Sequence, residues 1–334
     1  MSAKDRKPAV LVTGGAGYIG SHVVRQLSEA GYRPIVLDDL STGSREALIH
    51  GEPLIVGGVA DTELVEGTLR DYRCQAVLHF AASVVAPESV ARPLEYYRNN
   101  TVGTLSLLKA CVSAKIRRFV FSSTAAVYGE PRGGFADEDC ETQPINPYGA
   151  SKLMSERILA DVAAAHELRY ATLRYFNVAG ADPALRMGQR AKQATHLIKV
   201  CCEATLGVRD GVEVFGTDYA TPDGTGVRDY IHVEDLAAAH LAALGRLGSG
   251  SASCVLNVGY GHGHSVSEVI AAVKRVSVAD FAVRPRPRRP GDPGMLVART
   301  DRVRARLGWK PAHDSLDTIV RDALAWERKL QGRP

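Results

Sequence analysis

Short apolar runs alternate with longer amphipathic stretches along most of the chain. The runs are rich in Val, Ile, Leu and Phe, which is typical of strands buried on both faces of a parallel sheet. They lie at 8–12, 34–37, 54–56, 76–80, 118–121, 169–173 and 254–258. The stretches between them carry apolar residues at helical spacing, at 61–72, 93–114 and 147–164. Strands separated by helices predict an α/β fold with a doubly wound parallel sheet.

The pattern changes after position 176. The segment 181–230 is richer in Gly, Asp and Arg and predicts one helix, near 195–206, and a hairpin. Further helices are predicted at 234–247, 265–276, 301–307 and 314–330, and a basic, Pro-rich loop at 284–292. We therefore expect two lobes: residues 1–176, with 230–260 packing back on them, and a smaller α/β lobe of residues 177–334.

The first predicted strand leads directly into a glycine-rich turn, with a helical pattern behind it. Gly14, Gly17 and Gly20 lack Cβ atoms, so the backbone can turn tightly and a pyrophosphate can approach the helix N-terminus. Asp38 ends the next strand, about 20 positions further on, where an acidic residue binds the ribose 2′-hydroxyl of NAD. No arginine follows it to receive a 2′-phosphate, so the sequence favours NAD over NADP.

The stretch 146–152 places Tyr148 four residues before Lys152, on one face of a predicted helix. A nearby ammonium favours the phenolate and predicts a lowered pKa for the tyrosine. Such a phenol can remove a proton from a substrate hydroxyl and return it. A pair of surface residues at helical spacing would look the same, so the rest of the chain has to decide.

Two features of the second lobe point to an anionic ligand. Arg228 and the arginines of the loop at 284–292 can reach a phosphate by charge-assisted hydrogen bonds. A solvated connector is an alternative for this loop, because Pro-rich segments resist regular structure. Nucleic acid is a weaker alternative, since the patch is short and has no interleaved aromatic residues. With NAD on the first lobe, the arginines suggest a second ligand that carries a diphosphate.

Composition and charge mainly argue against certain partners and ligands. The chain has 334 residues, of which 45% are apolar and 23% charged, with a formal net charge of +4, so nothing in its charge suggests a nucleic-acid partner. Its six cysteines show no zinc spacing, and the one local histidine pair, His262 and His264, is a weak metal candidate. We expect no metal, no export signal and no membrane span, and hence a cytoplasmic protein.

Taken together, these motifs resemble the UDP-glucose 4-epimerases of the extended short-chain dehydrogenase/reductase superfamily. The resemblance runs from about position 9 to 324 and rests on the stretches 12–22, 79–82, 93–100, 121–129, 147–152, 174–177 and 223–233. It implies a Rossmann-type fold, a UDP-sugar substrate, a tightly held NAD that is regenerated each turnover, and a homodimer. Oxidation at C4 of the sugar, rotation of the 4-keto sugar and re-reduction would invert C4.

The resemblance also assigns residues. Tyr148 would be the base that later returns the proton, Lys152 would hold the nicotinamide ribose and lower the Tyr148 pKa, and Thr124 would hydrogen-bond the 4-oxygen. The positions implied for NAD are Gly14, Gly17, Tyr18, Ile19, Gly20, Asp38, Asp39, Leu40, Ser41, Thr42, Gly43, Gly58, Val59, Phe80, Ala81, Ala82, Asn99, Ser122, Tyr148, Lys152 and Phe176. Those implied for the UDP-sugar are Thr124, Tyr148, Asn177, His196, Leu197, Phe215, Arg228, Arg289, Asp292 and Leu296.

Several positions depart from the commonest family pattern. Gly58 stands where an Asp often binds the adenine amino group, and Val84 replaces a lysine that reaches the NAD phosphates in some members. His196 replaces an Asn that contacts the sugar diphosphate. Leu296 is intermediate in size at the position that sets tolerance for an N-acetyl group. None of these changes removes a catalytic group.

One alternative function stays open, and two others are disfavoured by the sequence. A 4-epimerase of another UDP-sugar (an N-acetylhexosamine, a pentose or a uronate) would share every catalytic residue. A sugar dehydratase needs an acid and a base directly after the threonine, where this chain has Ala125 and Ala126. A non-catalytic NAD-binding regulatory protein would be expected to lack the Tyr or the Lys, and both are present.

Overall fold

The computed structural model describes residues 7–191 and 195–332. The strands are β1 (Ala9–Thr13), β2 (Arg33–Asp38), β3 (Leu54–Val56), β4 (Cys74–His79), β5 (Arg118–Ser122), β6 (Phe135–Ala136), β7 (Arg169–Tyr175), β8 (Asn177–Ala179), β9 (Val212–Phe215), β10 (Val227–Arg228), β11 (Tyr230–His232), β12 (Cys254–Val258), β13 (His264–Ser265), β14 (Val283–Arg286) and β15 (Met295–Ala298).

The α-helices are α1 (Tyr18–Glu29), α2 (Thr62–Asp71), α3 (Ala86–Ala91), α4 (Pro93–Tyr96), α5 (Gly103–Ser113), α6 (Pro147–Ala165), α7 (Leu197–Thr205), α8 (Val233–Gly248), α9 (Val266–Ser277), α10 (Asp301–Leu307) and α11 (Leu316–Leu330). A π-helical segment, Tyr97–Val102, joins α4 to α5, and short 3₁₀ turns lie at Arg45–Ala47, Ala125–Tyr128 and Arg132–Gly134.

Seven parallel strands form the central sheet, in the order β12-β7-β5-β4-β1-β2-β3. Its two faces are buried against different helices, because successive side chains of a strand point to opposite faces. Val10 and Val12 of β1 join the core beneath α1 and α8, whereas Ala9 and Leu11 join the core beneath α2, α5 and α6. The predicted doubly wound parallel sheet is therefore confirmed, and β12 joins it by pairing with β7.

The second half of the chain adds three small sheets. One has the order β13-β10-β15-β6, and two further pairs join β11 to β8 and β14 to β9. The pairing of β15 with β6 links position 297 to position 135, and that of β11 with β8 links position 230 to position 177. These long-range pairings place the second lobe directly against the carboxyl ends of the central strands.

Three local predictions need correction. The predicted helix over 93–114 is interrupted by the π-helical segment, and it is preceded by α3, which was not predicted. Within the described part of 181–230, β9 pairs in parallel with β14 rather than in a hairpin. The antiparallel contacts of this part are a bridge between Ala181 and Gly188 and the pairing of β10 with β13. The predicted irregular loop at 284–292 begins with part of β14, an edge strand that tolerates Pro285.

Candidate active site

The turn after β1 forms a tight cradle at the edge of the sheet. Gly14 has φ of 69°, and a Cβ atom there would lie 2.6 Å from the backbone nitrogen of Ala81. A Cβ on Gly20 would overlap the carbonyl of Gly14. Gly17 caps α1 without any side-chain hydrogen bond, so the N-terminus of this helix faces the cradle with free N–H groups. The residues present therefore fit a pyrophosphate.

Asp38 lies at the end of β2, with a side chain turned towards this cradle. Its carboxylate accepts hydrogen bonds from the backbone N–H groups of Ala16, at 2.9 Å, and Leu40, at 2.8 Å. Burial is the largest influence on this carboxyl group and raises its pKa, while the two backbone donors lower it. A carboxylate can accept about four hydrogen bonds, so acceptor capacity remains for a ribose hydroxyl.

The loop after Asp38 is shaped by its own hydrogen bonds. Leu40 adopts φ of 61°, in the left-handed region. Asp39 accepts from the backbone nitrogen of Ser41 at 2.9 Å and from its hydroxyl at 2.6 Å. These contacts turn residues 39–43 back over α1, where the hydrogen bond from the Ser44 nitrogen to the carbonyl of Ala16 anchors them at 3.0 Å.

Most of the other residues predicted for NAD lie at or just beyond the carboxyl ends of central strands, where the fold class binds its ligands. They are Gly58 and Val59 after β3, Phe80, Ala81 and Ala82 after β4, Ser122 at the end of β5, and Phe176 after β7. Tyr18 and Ile19 begin α1. Asn99 lies in the π-helical segment, where its amide donates to the hydroxyl of Ser83 at 2.9 Å.

The π-helical segment also contains a buried asparagine that no sequence motif marks. Asn100 is 2% exposed, accepts from the backbone nitrogen of Ser83 at 2.8 Å and donates to the hydroxyl of Ser151 at 2.9 Å. It thereby ties the loop after β4 to α6, within one turn of Lys152. An Asn beside another Asn carries no sequence signal for such a role.

The predicted catalytic residues converge at the start of α6 and the end of β5. Asn146 caps α6 by accepting from the nitrogen of Gly149 at 2.9 Å, and Pro147 occupies the first turn. The side chain of Tyr148 is buried, its ring meets that of Tyr96 edge to face at 6.5 Å, and the nearby side chain of Thr124 lowers the pKa of Tyr148.

The contacts of Lys152 differ from the sequence prediction. Its ammonium donates to the main-chain carbonyl of Ser122 at 2.9 Å and lies 4.9 Å from the ring centre of Phe121. Burial lowers the pKa of Lys152 to about 7, and the charge of Glu156 opposes that shift. Burial also raises the pKa of Tyr148, against a smaller lowering by Thr124. The predicted lowering of the Tyr148 pKa by Lys152 is therefore wrong for the protein alone, because desolvation of the phenol outweighs any charge beside it.

Ser122 also contacts a histidine, His240, that no sequence motif marks. Its hydroxyl lies 2.8 Å from Nε2 of His240, whose Nδ1 lies 2.9 Å from the carbonyl of Leu236. Burial lowers the pKa of His240 to about 4, so the ring is neutral. Its Nδ1–H donates to the carbonyl of Leu236, and its Nε2 accepts a hydrogen bond from the Ser122 hydroxyl. Its ring centre is 4.7 Å from that of Phe80.

Four of the residues predicted for the substrate form two contacting pairs in the second half of the chain. Arg228 pairs with Asp292 and donates to the carbonyl of Pro293 at 2.6 Å. Arg289 stacks on the ring of Phe215, with its guanidinium carbon 3.5 Å from the ring centre. Among the described residues no carboxylate forms an ion pair with Arg289, which suits it to an anionic ligand.

The remaining predicted substrate residues lie at three places: on β15, at the start of α7 and at the start of β8. Leu296 lies on β15, in a small apolar cluster that includes Phe176 and Tyr128. His196 caps α7, which begins at Leu197, and its Nδ1 lies 2.7 Å from the amide of Gln189. The side chain of Asn177 is exposed at the start of β8. The neighbouring arginines at 284, 286 and 288 are paired with acidic residues of 210–218, so they form no open basic patch.

One group of side chains outside this cleft has the composition of a metal site. Potential ligand atoms of His232, His313 and Asp322 lie within 4.8 Å of one another. However, Nδ1 of His232 accepts the backbone N–H of Glu234 at 3.1 Å. Nε2 of His232 lies 3.3 Å from Oδ2 of Asp322, and neither atom has a hydrogen-bond partner in the described part of the chain. Nε2 is therefore the ring nitrogen of His232 that remains open to a ligand.

Comparisons with known proteins agree on one family. Residues 10–259 match the NAD dependent epimerase/dehydratase family. The chain is 57% identical over 324 residues to a UDP-glucose 4-epimerase of Azospirillum brasilense, covering 97% of this chain and 93% of that protein. The fold is similar to that of a UDP-glucose 4-epimerase from Brucella ovis in complex with NAD (TM-score 0.92, 43% identity, 95% of this chain and 98% of the other).

A further similar structure carries a nucleotide. A UDP-glucose 4-epimerase from Bifidobacterium longum in complex with NAD⁺ and UDP has a TM-score of 0.91 and 38% identity, covering 96% of this chain and 98% of that one. Among the described residues no helix is both long and apolar enough to cross a bilayer.

Proposed function

Because the chain belongs to the NAD-dependent epimerase/dehydratase family, we propose that it interconverts UDP-glucose and UDP-galactose by inverting C4 of the sugar. The observation that carries this function is the convergence of Thr124, Tyr148 and Lys152 beside a cradle that fits a dinucleotide. We assign NAD to residues 1–176, with 230–260 packed on them, and the UDP-sugar to residues 177–334. A cytoplasmic location remains a prediction.

Each of these residues has a separate role in the reaction at C4 of the sugar. When bound, NAD supplies a hydride acceptor and later a hydride donor at this carbon. Tyr148 takes the proton of the 4-hydroxyl as the C4–H bond breaks, and Thr124 holds the 4-oxygen with its hydroxyl. Lys152, which donates to the carbonyl of Ser122, would hold the nicotinamide ribose. After the 4-keto sugar has turned in the pocket, Tyr148 returns the proton to the oxygen and C4 has the opposite configuration.

The second lobe holds the part of the substrate that does not react. Arg228 and Arg289 would face the diphosphate, with Asp292 orienting Arg228. Phe215, beneath Arg289, Asn177, His196 and Leu197 would complete the nucleotide side of the cleft. Leu296 would contact the sugar. Because Leu is intermediate in size at this position, other UDP-sugars are the second candidate substrates. A comparison of turnover with different UDP-sugars distinguishes them.

We expect the purified protein to convert UDP-galactose to UDP-glucose with no NAD added, because the cofactor is regenerated within each turnover. UDP-N-acetylgalactosamine, UDP-arabinose and UDP-galacturonate are assayed in parallel, with the products separated by chromatography. Faster turnover of one of these would assign the enzyme to that sugar. Absence of turnover unless NAD is supplied would contradict a tightly held cofactor.

An apolar surface on α3, α5, α6 and their neighbours supports a homodimer. Leu94 is 82% exposed, and Val90, Val102, Leu105 and Met154 are 45–49% exposed. These residues belong to two neighbouring stretches of helix, 86–113 and 147–165, and large exposed apolar patches mark protein interfaces. A second copy of the chain can cover the patch with the same surface, as two-fold symmetry requires.

The dimer is tested by placing a charge in this surface. We expect Leu94→Arg to convert the protein from dimer to monomer in size-exclusion chromatography with light scattering, because the interface would bury a guanidinium without a counter-charge. Val278→Arg is the matched control, since Val278 is 92% exposed on another surface and should leave the dimer intact. A monomeric parent protein, or a dimer that survives Leu94→Arg, would contradict this interface.

A further inference from the structure

Helix α6 carries a buried acidic residue that the reaction described above does not use. Glu156 lies four residues after Lys152, and thus on the same face of the helix. Only 7% of Glu156 is exposed. A carboxylate at this depth is stable only when opposite charge and hydrogen bonds compensate for lost hydration. Its partners therefore show what it holds in place.

Glu156 joins α6 to the end of β5 and to β7. From β7, Nε of Arg174 lies 3.1 Å from Oε1 and 3.2 Å from Oε2, and Nη2 lies 2.6 Å from Oε2. From the end of β5, the hydroxyl of Ser123 donates to Oε1. Ser123 stands between Ser122, whose carbonyl accepts a hydrogen bond from Lys152, and Thr124, whose side chain lowers the pKa of Tyr148. One carboxylate is thus fixed to the segment that contacts both reactive side chains.

The pair formed by Glu156 and Arg174 is itself anchored. Nη1 of Arg174 donates to the hydroxyl of Tyr128 at 3.0 Å, and Tyr128 donates to Oδ1 of Asn257 at 2.7 Å. Asn257 lies on β12 and donates to the carbonyl of Ala136 at 2.9 Å. The chain of hydrogen bonds therefore runs from α6 through the 3₁₀ turn after Thr124 to the edge of the central sheet, and every side chain in it is buried.

The charges around Lys152 give Glu156 a second effect. From its own helix Lys152 is faced by Tyr148 and Glu156, from β4 by His79, and from β5 by the ring of Phe121 and the carbonyl of Ser122. Burial keeps His79 neutral, with its pKa well below the usual value. Glu156 is the group whose charge raises the pKa of Lys152.

The groups that face Glu156 are a different set. Arg174 and Tyr170 reach it from β7, Ser123 from the end of β5 and Tyr128 from the 3₁₀ turn. Without Glu156, the guanidinium of Arg174 would remain buried and uncompensated, adding positive charge below Lys152. The ammonium form of Lys152 would then become less stable.

We propose that Glu156 is a positioning residue of the epimerisation: it sets Thr124 against Tyr148 through Ser123 and keeps Lys152 protonated through its negative charge. The reaction assigned to Tyr148 and Lys152 belongs to the proposed function, so this inference rests on that function. The test measures the protonation of Lys152, which does not depend on which UDP-sugar is the substrate.

The test titrates Lys152 in the NAD-loaded enzyme labelled with ¹³Cε-lysine, with the Lys152 resonance assigned through Lys152→Met. In Glu156→Gln we expect the midpoint of the Lys152 titration to fall by about one pH unit or more. We also expect kcat to fall about tenfold as the geometry loosens. In Glu156→Asp, which keeps the charge but shortens the reach, we expect a near-normal midpoint with a lowered kcat. A folded Glu156→Gln variant with an unmoved midpoint would overturn the electrostatic role.

Two further variants separate positioning from general stability. Glu327 is a buried carboxylate that pairs with Lys199 at 2.6 Å, away from α6, so Glu327→Gln should leave the Lys152 midpoint unchanged. Ser123→Ala cuts the link to Thr124 and keeps every charge. It should lower kcat about tenfold, with KM and the midpoint unchanged. If Glu156→Gln does not fold, wild-type kcat in both Glu156→Asp and Ser123→Ala would overturn the proposal.

Discussion

Tyr148→Phe is expected to lower kcat by about a thousandfold, the scale of a lost general acid and base. The change removes one buried oxygen and keeps the ring that packs against Tyr96, so the fold and the affinity for the UDP-sugar should be preserved. Turnover is measured with UDP-galactose and substrate binding by calorimetry. KM should change little relative to kcat, because the proton transfer occurs only on the way to the transition state.

The matched control for this variant is Tyr72→Phe. Tyr72 follows α2, is half-buried against the core beneath α2, α5 and α6, and precedes the start of β4, so the variant loses the same atom away from the carboxyl ends of the strands. We expect its kcat to stay within about twofold of the parent, as for a surface change outside the site. Activity of Tyr148→Phe close to that of Tyr72→Phe would show that another group, with Thr124 as the nearest candidate, moves the proton.

Arg174→Met is expected to have the largest effect on stability, lowering the free energy of unfolding by about 3–5 kcal/mol. Arg174 and Glu156 are 6% and 7% exposed and form a bidentate pair. Removal of the guanidinium leaves a buried carboxylate without its counter-charge and deprives Tyr128 of a donor. Urea unfolding followed by circular dichroism measures the loss.

The double variant Arg174→Met/Glu156→Leu distinguishes a lost counter-charge from lost packing. With both charges gone, no ion remains buried, and we expect the double variant to regain more than half of the stability that Arg174→Met loses. It should still turn over slowly, because Ser123 has lost its acceptor. Equal stability of the single and double variants would mean that the destabilisation comes from packing around Met rather than from the uncompensated carboxylate.

Features encoded by neighbouring residues could be predicted from the sequence. Examples are the turn with Gly14 and Gly20, the acidic end of β2 and the proline at the start of α6. Each of them combines a local motif with an adjacent strand or helix. The parallel sheet followed from the alternation of apolar runs with helical stretches. The candidate site followed from these elements, since the carboxyl ends of parallel strands meet at one edge.

Features that depend on distant partners could not be predicted. The parallel pairing of β9 with β14 joins residues about 70 positions apart, which no local pattern encodes. His240 and Glu156 read as ordinary helical residues until folding brings Ser122 and Ser123 against them. The pKa of Tyr148 was predicted with the wrong sign because spacing gives the distance to Lys152 but not the depth of burial.

The return of β12 to the central sheet constrains how the protein is made. β7 ends at Tyr175, but its outer partner begins at Cys254, 79 positions later. At about 5–20 residues per second, a ribosome needs roughly 4–16 s to synthesise that interval. Throughout it, Ala171 and Leu173 lie on an open strand edge, which is a template for pairing with another chain. Newly made copies are therefore most prone to aggregate before the second half of the chain has emerged.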